Sequence, residues 1–218
     1  MPIRTRIRYG MLQLVILLAS IALSGMNSGC ASSQLADMWK DPEYNAPPMK
    51  RVLIIAAKKE TVNRRLWEDE FSAALSAQHV TSVCSYRLFP DSIPTPPQVG
   101  SIVQESKFDG VIFVRRLPPR ILTSDVPGSM KAVEVTRYNP HTQSYSTFFR
   151  DERQPSHTDS NVVYRHEVSV FTAQDEGGRL IWSGTGELIY PDSRAQVRHE
   201  ITSLVIPELG RVGIIPTE

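Results

Sequence analysis

The sequence predicts an α/β domain that becomes α+β in its second half. A mixed sheet is built first as β-α-β-α-β, then extended by antiparallel hairpin strands and closed by a C-terminal helix. Three observations predict this. Residues 52–57 (Val-Leu-Ile-Ile-Ala-Ala) are a continuous apolar run, the mark of a strand buried on both faces. Two segments with helix-spaced apolar residues separate it from two further strand-like runs. After residue 131 the pattern changes to strict alternation broken by turn residues, followed by one more helical stripe.

The elements follow in order. Residues 63–78 carry Trp67, Phe71, Ala74 and Leu75 at helical spacing, with Thr61 or Asn63 available as a cap and Glu68, Asp69 and Glu70 favoured early by the helix dipole. Residues 80–86 read as a second strand. Thr95-Pro96 opens a second helix, with proline at the first helical position, where its missing N–H is harmless. Asp109-Gly110 turns into a third strand at 111–114. Parallel pairing with right-handed crossovers follows from this series.

In the second half, residues 132–138 and 143–149 flank Asn139-Pro140-His141-Thr142 as a hairpin. Val162, Tyr164, His166, Val168 and Val170 alternate as a half-buried strand. After the turn at 175–178, Leu180, Trp182, Leu188 and Tyr190 continue the alternation. Gly184 and Gly186 fall on the same face, which leaves room for a close helix or marks a bulge. Residues 193–212 form the last helix, with Val197, Ile201, Leu204 and Val205 on one stripe and Pro207 expected to bend or end it. Residues 118–131 and 151–160 read as long irregular loops, the expected place for a partner surface.

The first 29 residues read differently. Arg4, Arg6 and Arg8 precede an apolar stretch, residues 11–23, and small residues end at Ser28-Gly29-Cys30. That is a signal-peptide layout. A helix of 13 residues spans roughly 20 Å, short of the roughly 30 Å hydrocarbon core. It resembles a lipoprotein signal, whose cysteine is acylated and becomes the first mature residue; Asn27 departs from the leucine preferred there. The alternatives are an uncleaved anchor over residues 9–26 and cleavage after Ser20-Ile21-Ala22. Ala31, where an inner-membrane retention aspartate would stand, implies the outer membrane, facing the periplasm. Residues 1–29 are thus expected as signal, 30–49 as a lipid-anchored tether, and 50–218 as a single periplasmic domain. Trp39 is the tether's one large anomaly, either docked on its own domain or exposed as an anchor for a partner.

Without residues 1–29 the chain holds 21 Lys and Arg against 23 Asp and Glu, a balance that argues against a nucleic-acid partner. With Cys30 acylated, Cys84 has no partner for a disulfide, and its apolar setting reads as a buried small hydrophobe.

Several segments together resemble a family of uncharacterised bacterial lipoproteins: Trp39-Lys40-Asp41-Pro42, the strand at 50–55, Arg64-Arg65 with Glu68, Ser85-Tyr86, Asp109-Gly110-Val111, and the run at 178–184. The resemblance implies a periplasmic α/β domain broadly like the N-terminal domain of the Tol-system propeller protein. It implies no activity and no catalytic residue.

No Gly-x-Ser-x-Gly elbow, phosphate loop or zinc spacing occurs. No cofactor and no metal site is expected. Arg115, Arg116 and Arg120 form a small basic cluster after the third strand, at the carboxyl edge where α/β sheets bind ligands. His141, His157 and Asp159 share a loop-rich stretch and could in principle bind a metal. His166 reads as a hydrogen-bonded core histidine. The functional expectation is a non-catalytic, outer-membrane-anchored module that binds another envelope protein. A carrier of a small anion is the alternative, and a metal-dependent hydrolase a more remote one.

Overall fold

In the computed structural model, residues 32–174 and 178–217 are described. The signal segment, Cys30 and most of the turn at 175–178 lie outside the described residues.

A seven-stranded mixed sheet organises the domain. β2 (Arg51–Ala57) pairs in parallel with β3 (Thr81–Cys84) on one side and with β4 (Gly110–Arg116) on the other. β8 (His157–Thr172) lies antiparallel to β4, β9 (Arg179–Ile189) antiparallel to β8, and β1 (Ser32–Lys40) antiparallel to β9. The order is β1-β9-β8-β4-β2-β3. Among the described residues four helices accompany it: α1 (Thr61–Ala77), the short α2 (Ser85–Leu88), α3 (Pro96–Glu105) and α4 (Arg194–Arg211).

Strand alternation divides the core. Val52, Ile54 and Ala56 of β2 face Trp67, Phe71 and Leu75 of α1 and join a cluster with Ile201, Val205 and Leu209 of α4. Leu53 and Ile55 point the other way, against Val103 of α3, Phe108 and Val111. Burial on both faces is why β2 reads as an unbroken apolar run. α3 starts as predicted, with a Thr95–Gln98 capping box and Pro96 at its head. α1 begins at Thr61 itself; Glu60 occupies the N-cap and no side chain caps the helix. α4 continues through Pro207 to Arg211. A register shift between Val170 and Phe171 brings both Ile181 and Trp182 into one cluster. Gly186 lies directly beneath the Ile201 side chain, so the glycine makes room for α4, as the sequence allowed.

Two irregular stretches turn out to be strands. Residues 118–131 contain β5 (Arg120–Val126), and residues 151–160 contain the start of β8, which pairs with β5 from Val126↔His157 to Arg120↔Val163. Beyond them β6 (Ser129–Asn139) and β7 (Ser144–Gln154) form a separate hairpin, longer than the sequence indicated. β5 and the start of β8 cover no core, so they carry no apolar alternation to read. The tether expectation also needs correction. Ser32 to Lys40 is an edge strand of the main sheet, with only Leu35 packed against the core cluster. A register shift between Ala36 and Trp39, with Asp37 at φ 50°, erases its periodicity.

Candidate functional site

The parallel strands β2 and β4 end at one place. β2 passes the chain to Lys58, Lys59 and the start of α1, β4 ends at Arg116, and α4 starts nearby at Arg194. Between them opens a cavity of about 680 Å³, whose walls include Lys58, Trp67, Arg116, Tyr164, His166 and Arg194.

Its floor is a stack. The His166 ring lies on the Trp67 indole, with centroids 4.5 Å apart and planes 26° apart. Lys58 Nζ sits 4.6 Å from the same indole centroid, a cation–π contact. Trp67 is presented by α1 and His166 by β8. Alternation along β8 puts His166 on the face of Val168 and Val170, both in the core cluster. His166 is 5% exposed, and its Nδ1 is buried without a hydrogen-bond partner. The sequence reading of a hydrogen-bonded core histidine is therefore half right: the ring is in the core, but this nitrogen is unsatisfied.

Charge accumulates around the ring. Lys58 is 8% exposed. Burial, reinforced by Arg116, pushes its pKa down to about 8. Burial, then Lys58, then Arg116 push His166 down to about 3, so its imidazole is neutral near pH 7. Lys59, Arg116 and Arg194 add positive charge, against the Glu60 carboxylate, which meets Arg194 at 3.7 Å in an exposed pair. The uncapped start of α1 leaves first-turn N–H groups without a side-chain acceptor, beside a cavity that Glu60 and Asn63 help to line. α4 differs, because Ser193 Oγ accepts from the Gln196 N–H at 3.1 Å. The site can thus offer cations and first-turn helix amides to an anion.

The predicted arginine cluster is divided by alternation. Arg116 follows Ile112 and Val114 to the cavity face, while Arg115 points to the opposite face. There it donates twice to Glu167 Oε2, at 3.1 and 2.6 Å. Arg120 pairs with Glu187 at 3.0 Å, a carboxylate that Arg165 also engages at 3.0 Å. Trp39 is 47% exposed on the outermost strand, beside exposed Met38. His157 and Asp159 approach to 3.4 Å at the surface, whereas His141 sits in the turn between β6 and β7, so the structure does not assemble the three as one set. Cys84 is buried, and burial, with Asp69 and Glu68 nearby, pushes its thiol up to about 11. Lys58 and Trp67 were missed as site residues. The available signal was a lysine at the carboxyl end of a fully buried strand.

No family model matches this chain, and no curated protein matches it. Among solved structures, it is similar to the PelC dodecamer from Paraburkholderia phytofirmans at 11% identity, over 84% of this chain and 98% of that chain, with a TM-score of 0.43. It is similar to lipoprotein GNA1162 from Neisseria meningitidis at 10% identity, over 74% and 98%, with a TM-score of 0.37. A PDZ domain protein from Parabacteroides distasonis aligns at 9% identity over 88% of this chain and 39% of that one, with a TM-score of 0.36. One of these is a bacterial lipoprotein; likeness at this level transfers no activity, partner or location.

Proposed function

We propose that this protein is a lipid-anchored, non-catalytic module of the outer membrane's periplasmic face that holds a small anionic ligand beside His166. One observation carries the reading: a cavity walled by His166, Lys58 and Arg116 lies at an uncapped helix start. A histidine whose pKa is near 3 takes up no proton at neutral pH, which favours binding over general-base chemistry. The anchor is Cys30.

Thermal unfolding of the mature chain, as Cys30→Ser, tests the ligand class. Inorganic phosphate is expected to raise Tm in a dose-dependent way, and Arg116→Gln is expected to abolish that rise. An equal rise in the variant, or none in the parent, removes the reading. Fatty-acid labelling that survives Cys30→Ser removes the anchor.

A second reading, docking of another envelope protein, is favoured by the exposed Met38 and Trp39 on the open edge of β1. In-cell cross-linking from Trp39 that captures no reproducible partner counts against it.

A further inference from the structure

The β5–β8 ribbon leaves the sheet at a defined end. Ser32 pairs with Ile189, Ile189 with Val163, and Val163 with Arg120, so these four residues form one row across the sheet. β8 runs in the same direction as β1, because both are antiparallel to β9. Residues of β8 before Val163 therefore extend past this row on the side from which the chain enters β1. Six residues of ribbon reach about 20 Å beyond it, and the eleven-residue β6–β7 hairpin adds about 35 Å of strand.

Cys30 is two residues before Ser32, a reach of at most ~7 Å. An acyl chain on Cys30 brings the lipid surface to the row where the ribbon starts. The ribbon is much longer than that gap.

Its surface suits such a position. Strand register puts Met130, Tyr138, Tyr145 and Phe149 on one face. Tyr145 and Phe149 are 74% and 73% exposed, and the Tyr138 and Tyr145 rings lie 5.0 Å apart. Thr136 and Thr147 hydrogen-bond between them at 3.2 Å. Of the charges on this face, Asp151 and Arg153 stand towards the base and Glu134 stands opposite Phe149. The distal half is thus an aromatic patch of the type found at membrane–water interfaces. The open edges of a two-stranded ribbon confine it to the headgroup layer, because unpaired backbone groups are excluded from hydrocarbon. A lone hairpin is also marginal in water, so contact with a surface would steady it.

We propose that residues 120–163 form an arm that lies on the bilayer holding Cys30, with Tyr138, Tyr145 and Phe149 in its headgroup layer. This rests on the lipidated Cys30 reading.

The test uses the acylated mature protein carrying Phe149→Cys, labelled with an environment-sensitive NBD dye; Cys84 is buried and stays unlabelled. In vesicles of phosphatidylethanolamine and phosphatidylglycerol, the emission is expected to rise and shift to the blue, and to be quenched by headgroup-level nitroxide lipid. A dye at Ser101→Cys on α3 is expected to stay water-like. Water-like emission at position 149 overturns the arm. So does a blue shift that grows with protein concentration in the absence of vesicles, since a second copy then covers the patch. Fatty-acid incorporation at Cys30 is read on the same sample. Missing incorporation removes the anchor on which the inference rests, whereas incorporation with unchanged emission removes the arm alone.

Discussion

Glu68 of α1 accepts the backbone N–H of Ala56 at 3.0 Å, twelve residues earlier in β2. The same carboxylate accepts from Arg64 Nε at 3.1 Å, from the Ser85 hydroxyl at 2.7 Å and from the Tyr86 N–H at 2.9 Å. Arg64 also donates to Ser85 Oγ and to the carbonyls of Phe89 and Ser92. One buried ion pair thus joins α1, the end of β2 and α2, and it sits one residue from Trp67 of the cavity floor.

Glu68→Ala is expected to destabilise the fold by about 3–5 kcal/mol, because it strands a buried guanidinium. Urea unfolding measures it. A loss below about 1 kcal/mol, the value of an exposed pair, would contradict the buried network.

His166 and acid stability are linked. Its folded pKa, about 3, lies below the ordinary 6.5. The unfolded chain then binds the extra proton, so this contribution is full above pH 6.5 and is lost as pH falls towards 3. Stability measured across that window should fall less steeply in His166→Phe than in the parent. Parallel curves would show that another group is responsible.

Lys58 gives the opposite edge. Its folded pKa of about 8 lies below the ordinary 10.5, so its contribution to stability grows as pH rises from about 8 to 10.5. Its charge disappears over the same range, and phosphate affinity is expected to drop as pH rises through about 8. Titration calorimetry at pH 7 and pH 9 checks this. Affinity unchanged between the two would remove Lys58 from the anion site.

Gly186→Ala places a methyl group against Ile201 of α4. A cost of about 1–3 kcal/mol is expected from overpacking. Adding Ile201→Val should recover part of it, because it shortens the side chain that collides. Strict additivity of the two changes in urea unfolding would show that they do not meet.

Much of this was legible because burial writes periodicity into sequence. The apolar run of β2 and the stripe of α4 each follow from contact with one shared core. β1 was not legible: a register shift and an open outer edge left Leu35 as its sole core-packed residue. β5 and the first residues of β8 were unreadable for a related reason: they bury almost nothing, and no turn signal marks them as the residues at 139–142 mark the β6–β7 hairpin. In the site, the sequence placed basic residues at the carboxyl edge of β4. It could not say that Arg116 alone turns inward, because that depends on which face α1 and α4 cover.

The sequence by itself determined the mixed α/β class, the parallel start, the antiparallel finish and the targeting pattern ending at Cys30. Those are local or periodic properties, carried by neighbouring residues. Tertiary structure alone decided that Lys58, Trp67 and His166 meet, that Arg115 is neutralised by Glu167, and that the β5–β8 ribbon leaves the sheet at the end where Ser32 begins β1. Each depends on strands far apart in the chain coming into register, and pairing across that separation leaves no mark within any single segment.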